Sequence, residues 1–189
     1  MELANCHARI RGLRGRLGFP DSNDIKFLDL RVFLQDGSIN DELKKEPYNS
    51  SKVSIYFLLH GYAEAKSLLE TAQLTSFKQL AGGEAYFKAF AERVIQPFLA
   101  IFGQQPHTLV EAANLFEGTP QSYGDYSVKI FSLPLVPLTI ILWTKSAEFA
   151  ASANVLFDSN ANNYLTTEEL AALGELTALR LKNATEHLE

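Results

Sequence analysis

Residues Leu138 to Trp143, LTIILW, form an unbroken apolar run with β-branched residues at its centre. Six residues are far too few to span a bilayer, which takes about 20. They suit an extended strand with both faces covered, because branched side chains pack well on a pleated surface. Just upstream, Tyr126, Val128 and Ile130 alternate with Ser127 and Lys129, the period of a half-buried strand. Pro134 and Pro137 mark a turn between the two segments. A chain carrying this pair must build a sheet and supply layers to cover it.

The remaining pattern supplies those layers. Residues 27 to 34, FLDLRVFL, put Leu28, Leu30, Val32 and Leu34 on one side and Asp29 and Arg31 on the other, which predicts a strand. Asp36-Gly37 reads as a turn, and a polar loop through Lys44, Lys45, Pro47 and Asn49 follows. From Lys52 the period lengthens to that of a helix, with Ile55, Leu58, Leu59, Tyr62 and then Leu69 on one stripe. After Gly83, the residues Phe87, Phe90, Ala91, Val94, Phe98, Ile101 and Phe102 predict a longer helix. Pro97 should bend or interrupt it, because proline has no N–H for the preceding turn. A short helix after Thr108 presents Leu109, Ala112, Ala113 and Phe116. Thr166 and Glu169 have capping-box spacing ahead of Leu170, Leu173, Leu176 and Leu179, which predicts a terminal amphipathic helix. The expected class is α+β: a small mixed or antiparallel sheet packed against several amphipathic helices. Residues 25–187 are expected to form one domain, preceded by an Arg-containing segment over 1–24.

Composition limits the chemistry. With 189 residues, 47% of them hydrophobic, the chain can fill one substantial core without covalent staples. The single cysteine, Cys6, excludes an internal disulfide framework and any zinc site of several thiolates, and points to a reducing, cytoplasmic setting. No apolar stretch has membrane-spanning length, and MELANCHARIRGLRGR has no apolar core of the kind a secretory signal needs, so a soluble chain is expected. A net charge of -5 argues against a nucleic-acid platform, which needs clustered surplus cations. Arg9, Arg11, Arg14 and Arg16 are a local exception that could hold a phosphate or an acidic partner, although a solvated arm or helix face is the preferred reading.

Motifs for catalysis are sparse. There is no G-x-S-x-G elbow, and Cys6 has only the adjacent His7 beside it. His7, His60, His107 and His187 have no metal-ligand spacing, and His60, just off its helix's apolar stripe, is expected to be packed or partly exposed rather than a ligand. Ala81-Gly82-Gly83 could offer amides to an anion, but lacks the lysine of a phosphate loop and reads better as a turn into a helix. The sharpest match is DSNANNYLTTEE. Asp158, Asn160, Asn162, Tyr164 through its carbonyl, and Glu169 fall at positions one, three, five, seven and twelve of an EF-hand calcium loop. Asn163 stands where that loop has glycine, only Asp158 and Glu169 bring charge, and no second loop pairs with it. The competing reading is an Asx-rich turn that launches a capped helix.

Phe77, Gly82-Gly83, Gly124-Asp125, LPLVPLTIILW over 133–143, Glu148-Phe149 and LFDSNANNYLTTEELAALGEL occur in linked order. In these segments the chain resembles a prokaryotic family, domain of unknown function 3786, from Phe27 onward. Ala147 and Ala150 stand where the family pattern has an acidic residue and a proline. The resemblance implies an association with iron-sulfur or corrinoid redox systems of anaerobes, and it accounts for the 158–169 segment without a metal.

The leading functional expectation is therefore a non-enzymatic or accessory binding domain with an iron-sulfur or corrinoid protein partner and no nucleic-acid or membrane partner. Two alternatives stand beside it. One is an enzyme whose carboxylates Asp125, Glu148 and Asp158 converge near the ends of the late strands. The other is a single EF-hand-like calcium module using Asp158, Asn160, Asn162, Tyr164 and Glu169.

Overall fold

A computed structural model describes residues 3–48, 52–66 and 68–188. The protein is α+β, with two antiparallel sheets. Helix α1 (Leu3–Arg11) leads into a four-stranded sheet of β1 (Asp24–Phe27), β2 (Leu30–Phe33), β3 (Ile39–Asp41) and β4 (Glu46–Pro47), ordered as in the chain. Helix α2 (Lys52–Glu64) then crosses to β5 (Leu74–Ser76) and the helical stretch α3 (Gly83–Phe90) to α4 (Gln96–Phe102). Helix α5 (His107–Asn114), strands β6 (Thr119–Pro120), β7 (Tyr126–Leu133), β8 (Val136–Trp143) and β9 (Ser152–Asp158), and helix α6 (Thr167–Thr185) complete the order.

The second sheet has the order β5-β9-β8-β7-β6, so the LTIILW segment lies in its central strand, as the run requires. From Val136 to Leu142 every residue of β8 is buried, while Trp143 emerges at the end. Helices α4 and α5 pack on this sheet through β9 and β7, and α6 lies among α2, α3, α4 and α5. Buried side chains such as Leu170, Leu173, Thr177, Arg180 and Leu181 place α6 inside the protein rather than on its surface. Leu179, assigned to the apolar stripe by spacing, is exposed.

Several expectations need correction. Residues 27–34 are not one strand: Leu28 and Asp29 both have positive φ, 48° and 54°, and turn β1 back onto β2 with Phe27 opposite Leu30. A two-residue turn of this hand normally carries Asn-Gly. Here the fold holds Leu-Asp in it through Arg180 of α6, whose Nε donates to the Leu28 carbonyl at 2.9 Å. The polar loop after Asp36 contains β3 and β4, and Asn49 lies outside the described residues. Helix α2 ends at Glu64, so Leu69 is off its stripe and 91% exposed. Strand β9 was not expected, since Ser152, Asn154 and Asp158 interrupt the apolar signal.

The aromatic helix is divided as Pro97 requires. Residues Ala91–Ile95 form a wider π turn in which the Gln96 N–H reaches the Ala91 carbonyl, and Pro97 then sits in the first turn of α4. One extra residue in the turn accommodates the ring that an unbroken α-helix would drive against a carbonyl. Inside it, Phe77 stacks on Phe90 with centroids 3.8 Å apart. That stacking depends on Gly83, because a Cβ there would overlap the Phe77 carbonyl. Gly83→Ala is expected to lower the thermal midpoint by about 5–15 °C, since backbone must move to relieve the overlap; a calorimetric scan checks this.

The Arg-bearing segment is not a detached arm; its four arginines are exposed, Arg9 and Arg11 on α1, as the helix-face reading has it. Cys6, Ile10, Leu13, Leu17 and Phe19 join the same core as the two sheets, and the Tyr62 hydroxyl donates to the Leu17 carbonyl. The arginines bond at its surface. Arg11 donates to the carbonyls of Leu34 and Gln35, Arg14 pairs with Asp21, and Arg9 pairs with Glu64.

Candidate functional site

The loop from Asp158 to Glu169 follows strand β9, not a helix, and its polar side chains are bonded to protein groups. Asp158 Oδ2 accepts from the backbone N–H groups of Thr71 and Ala72, both at 3.0 Å. Its Oδ1 accepts from the Thr71 hydroxyl at 2.8 Å and the Asn160 N–H at 3.1 Å. A carboxylate has about four lone-pair positions, and here each meets a proton. The Asn160 amide donates to the Leu69 carbonyl, Asn162 Oδ1 accepts from the Ala81 N–H, and the Tyr164 hydroxyl bonds the carbonyl and N–H of Leu68. Glu169 Oε2 accepts from both the N–H and the hydroxyl of Thr166, completing the expected cap. These residues clasp the 68–72 segment and launch α6. Asn160 Oδ1 is buried without a partner among the described residues.

Phe77, Gly83 and the 156–176 stretch meet around this clasp, where the Thr167 hydroxyl also donates to the Ala81 carbonyl. The Ala81-Gly82-Gly83 turn is thereby tied to α6. His60 lines a groove of about 320 Å³ with Glu64, Tyr164 and Glu169. Its two carboxylates are already engaged, Glu64 by Arg9 and Glu169 by the cap. Among the described residues, no three His, Cys, Asp or Glu side chains gather as a metal group.

A different set of segments meets at the far end of the sheet. Trp143 pairs with Ser152 across β8 and β9, and Asp125 precedes β7 with its N–H bonded to the Leu142 carbonyl. Around them is a cleft of about 550 Å³ lined by Asp125, Trp143, Thr144, Ser146, Phe149, Ala150 and Ser152. Each wall has a local cause. Ser146 Oγ accepts from the N–H groups of Glu148 and Phe149, while the Ser146 N–H returns to the Phe149 carbonyl. This hydroxyl-bonded turn holds Phe149 outward, 72% exposed. Gly124, at φ 56°, packs flat on the sheet end; a Cβ would approach Ile141 and the Leu142 carbonyl to 2.7 Å. Asp125 Oδ2 accepts from the N–H and hydroxyl of Thr144, both at 2.7 Å. Those bonds hold its carboxyl below the ordinary range.

The strand register decides which carboxylates can cooperate. Asp125 faces the Leu142 end of β8, whereas Asp158 lies beyond Phe157, which pairs with Leu138. At about 3.4 Å per residue the two ends are on the order of 15–20 Å apart. Asp125 and Asp158 therefore serve different ends of the sheet, and Glu148 lies exposed on the Ser146 turn, outside the cleft lining. Sequence reasoning singled out Asp125 and Glu148 but missed Trp143, Thr144 and Ser146 as cleft walls. The available signal was Ser146 two and three residues ahead of Glu148 and Phe149, the spacing of a hydroxyl turn.

Fold and cleft together define an α+β domain with a ligand-sized, largely apolar opening at one end of an antiparallel sheet. The model of the family described as a domain of unknown function (DUF3786) matches residues 14–180, and the chain belongs to that family. Comparisons with curated proteins and with solved structures find no match.

Proposed function

We propose that this chain is a non-enzymatic binding domain whose ligand site is the Asp125–Trp143–Phe149 cleft, accessory to an iron-sulfur or corrinoid redox system in a prokaryotic cytoplasm. One observation carries the reading. Gly124-Asp125, the Trp143 end of the 133–143 run, and Glu148-Phe149 are three separate segments of the family resemblance, and they come together at a single cleft. Its volume, about 550 Å³, lies in the range typical of small-molecule sites, and its mix of two exposed aromatics with a few polar groups is the usual composition. Phe149 makes little sense as a core residue, because it is 72% exposed on a turn built to hold it there.

Trp143 is the only tryptophan, so its emission reports the state of the cleft directly. Protein purified anaerobically from its own host is expected to retain a non-covalent ligand, or an iron-sulfur or corrinoid protein, in native mass spectrometry. Its removal should shift Trp143 emission. Phe149→Ala is expected to reduce retention about tenfold, since one aromatic wall is lost, while leaving the melting temperature nearly unchanged because the side chain is exposed. If the native protein carries neither ligand nor such a partner, the reading fails.

A further inference from the structure

Resting on that binding reading, we infer that the ligand is a small organic cation, an alkylammonium or quaternary ammonium group on an apolar body, seated between Trp143 and Phe149 with its charge facing Asp125.

The chemistry of the lining is selective. Among the described residues Asp125 is the only ionisable one that lines the cleft, and no lysine, arginine or histidine joins it. An anion would meet a carboxylate and no counter-charge. A metal ion would find one carboxylate and a few hydroxyls, far short of the oxygen set that calcium takes. A cation with an apolar body instead finds the two things it needs, an aromatic surface and one negative charge.

The aromatic faces are available. Trp143 is 40% exposed and Phe149 72%, and they reach the cleft from a strand end and from the following turn. Elsewhere the chain uses its own cations on aromatic rings: Arg31 lies over Phe33, Lys78 over Phe87 and Lys129 over Phe131. Among the described residues none lies over Trp143 or Phe149, so their faces are left for a charge brought from outside. Tryptophan is also the ring that attracts cations most strongly.

Asp125 is prepared for the same role. Its Oδ2 is fixed by the two bonds from Thr144, which orient the carboxylate. Its Oδ1 has no hydrogen-bond partner among the described residues. Lys145 and Glu148 flank the site on the exposed loop, but neither lines the cleft.

Choline and its neutral carbon isostere 3,3-dimethylbutan-1-ol separate charge from shape, and Trp143 fluorescence follows both. Choline is expected to bind about tenfold or more tightly than the alcohol. Asp125→Asn, which keeps an oxygen for Thr144, should weaken choline about tenfold and leave the alcohol unchanged. Phe149→Leu, which keeps apolar bulk and removes the ring, should weaken choline about three- to fivefold by calorimetry. Melting curves establish that both variants fold. Equal binding of choline and alcohol overturns the cation assignment and leaves the cleft as a site. The same holds if neither probe binds while the native protein retains a ligand that Phe149→Ala releases. Absence of probe binding together with absence of any retained ligand overturns both.

Discussion

Replacing Arg180 with alanine is expected to lower the unfolding free energy by about 3–5 kcal/mol, measured by urea or guanidinium titration. Its guanidinium is fully buried. It donates to both Asp41 oxygens, at 2.5 and 2.7 Å, and to the carbonyls of Leu28 and Asp29. Truncation would strand the Asp41 charge and the Leu28 carbonyl where water does not reach, whereas the Asp29 carbonyl keeps the Glu42 N–H. Asp41→Ala should cost a similar amount, because it leaves the guanidinium buried without its counter-charge. The double variant Arg180→Met, Asp41→Leu is expected to cost clearly less than the sum of the singles, since it removes both charges and keeps apolar volume. Additive losses would show that the pair is not the unit holding α6 to the first sheet.

The same pair sets an acid limit. Burial opposes the Asp41 charge, but the hydrogen bonds and charge of Arg180, with the N–H groups of Lys44 and Leu43, outweigh it and hold the carboxyl below the ordinary range. A depressed acid binds its proton less readily in the folded state than in the unfolded one. Its stabilisation is therefore complete above the unfolded value, about 3.9, and is lost as pH falls through the folded value. Asp29 acts in the opposite sense: burial first, aided by Asp41 and Glu42 and opposed by Arg180, raises its carboxyl. Its contribution weakens as pH rises from the unfolded value through the folded one. Asp41→Asn should flatten the acid side of the stability curve.

Asp158→Ala is expected to destabilise the protein by about 3–5 kcal/mol, close to the effect at Arg180. The substitution frees the N–H groups of Thr71, Ala72 and Asn160 and the Thr71 hydroxyl at once. Asp158→Asn should recover part of the loss, since one oxygen remains to accept. Because the carboxylate already receives four donors, calcium at millimolar concentration is expected to leave the melting temperature of the native protein unchanged. Calcium-dependent stabilisation that disappears in an Asp158→Ala, Glu169→Ala double variant would restore the EF-hand-like reading of Asp158, Asn160, Asn162, Tyr164 and Glu169. Hydrogen exchange gives a second view: if Asp158 is the clasp, the variant loses protection at residues 68–72 before strand β9 does.

Local chemistry made much of this architecture legible. The apolar run of β8, the alternation in β7, the Ile55–Tyr62 part of the α2 stripe and the Thr166–Glu169 cap depend on neighbours within a few residues, and each appears where the pattern places it. The family likeness likewise rested on segments that could be read in order along the chain. Pro97 foretold a break, though not that a π turn would absorb it. The cleft was half visible: Asp125 and Glu148 were singled out as carboxylates, while Trp143 read only as the end of a strand.

What escaped sequence reading depends on partners distant in the chain. Asp158 opens a sequence that matches a calcium loop, but its bonds to Thr71 and Ala72 span 87 and 86 residues. The Leu28-Asp29 turn has no glycine or asparagine to announce it, and Arg180, more than 150 residues later, grips its carbonyls. A residue's intrinsic preference is worth only fractions of a kcal/mol to about 1 kcal/mol, whereas breaking a buried ion pair or stripping a multiply bonded carboxylate from its donors costs several. The sequence by itself determined the α+β class, the central strand and the capped last helix, because their signals are local. Tertiary structure alone decided the first hairpin, the clasp at Asp158 and the meeting of Asp125, Trp143 and Phe149, because each requires surfaces that only folding brings together.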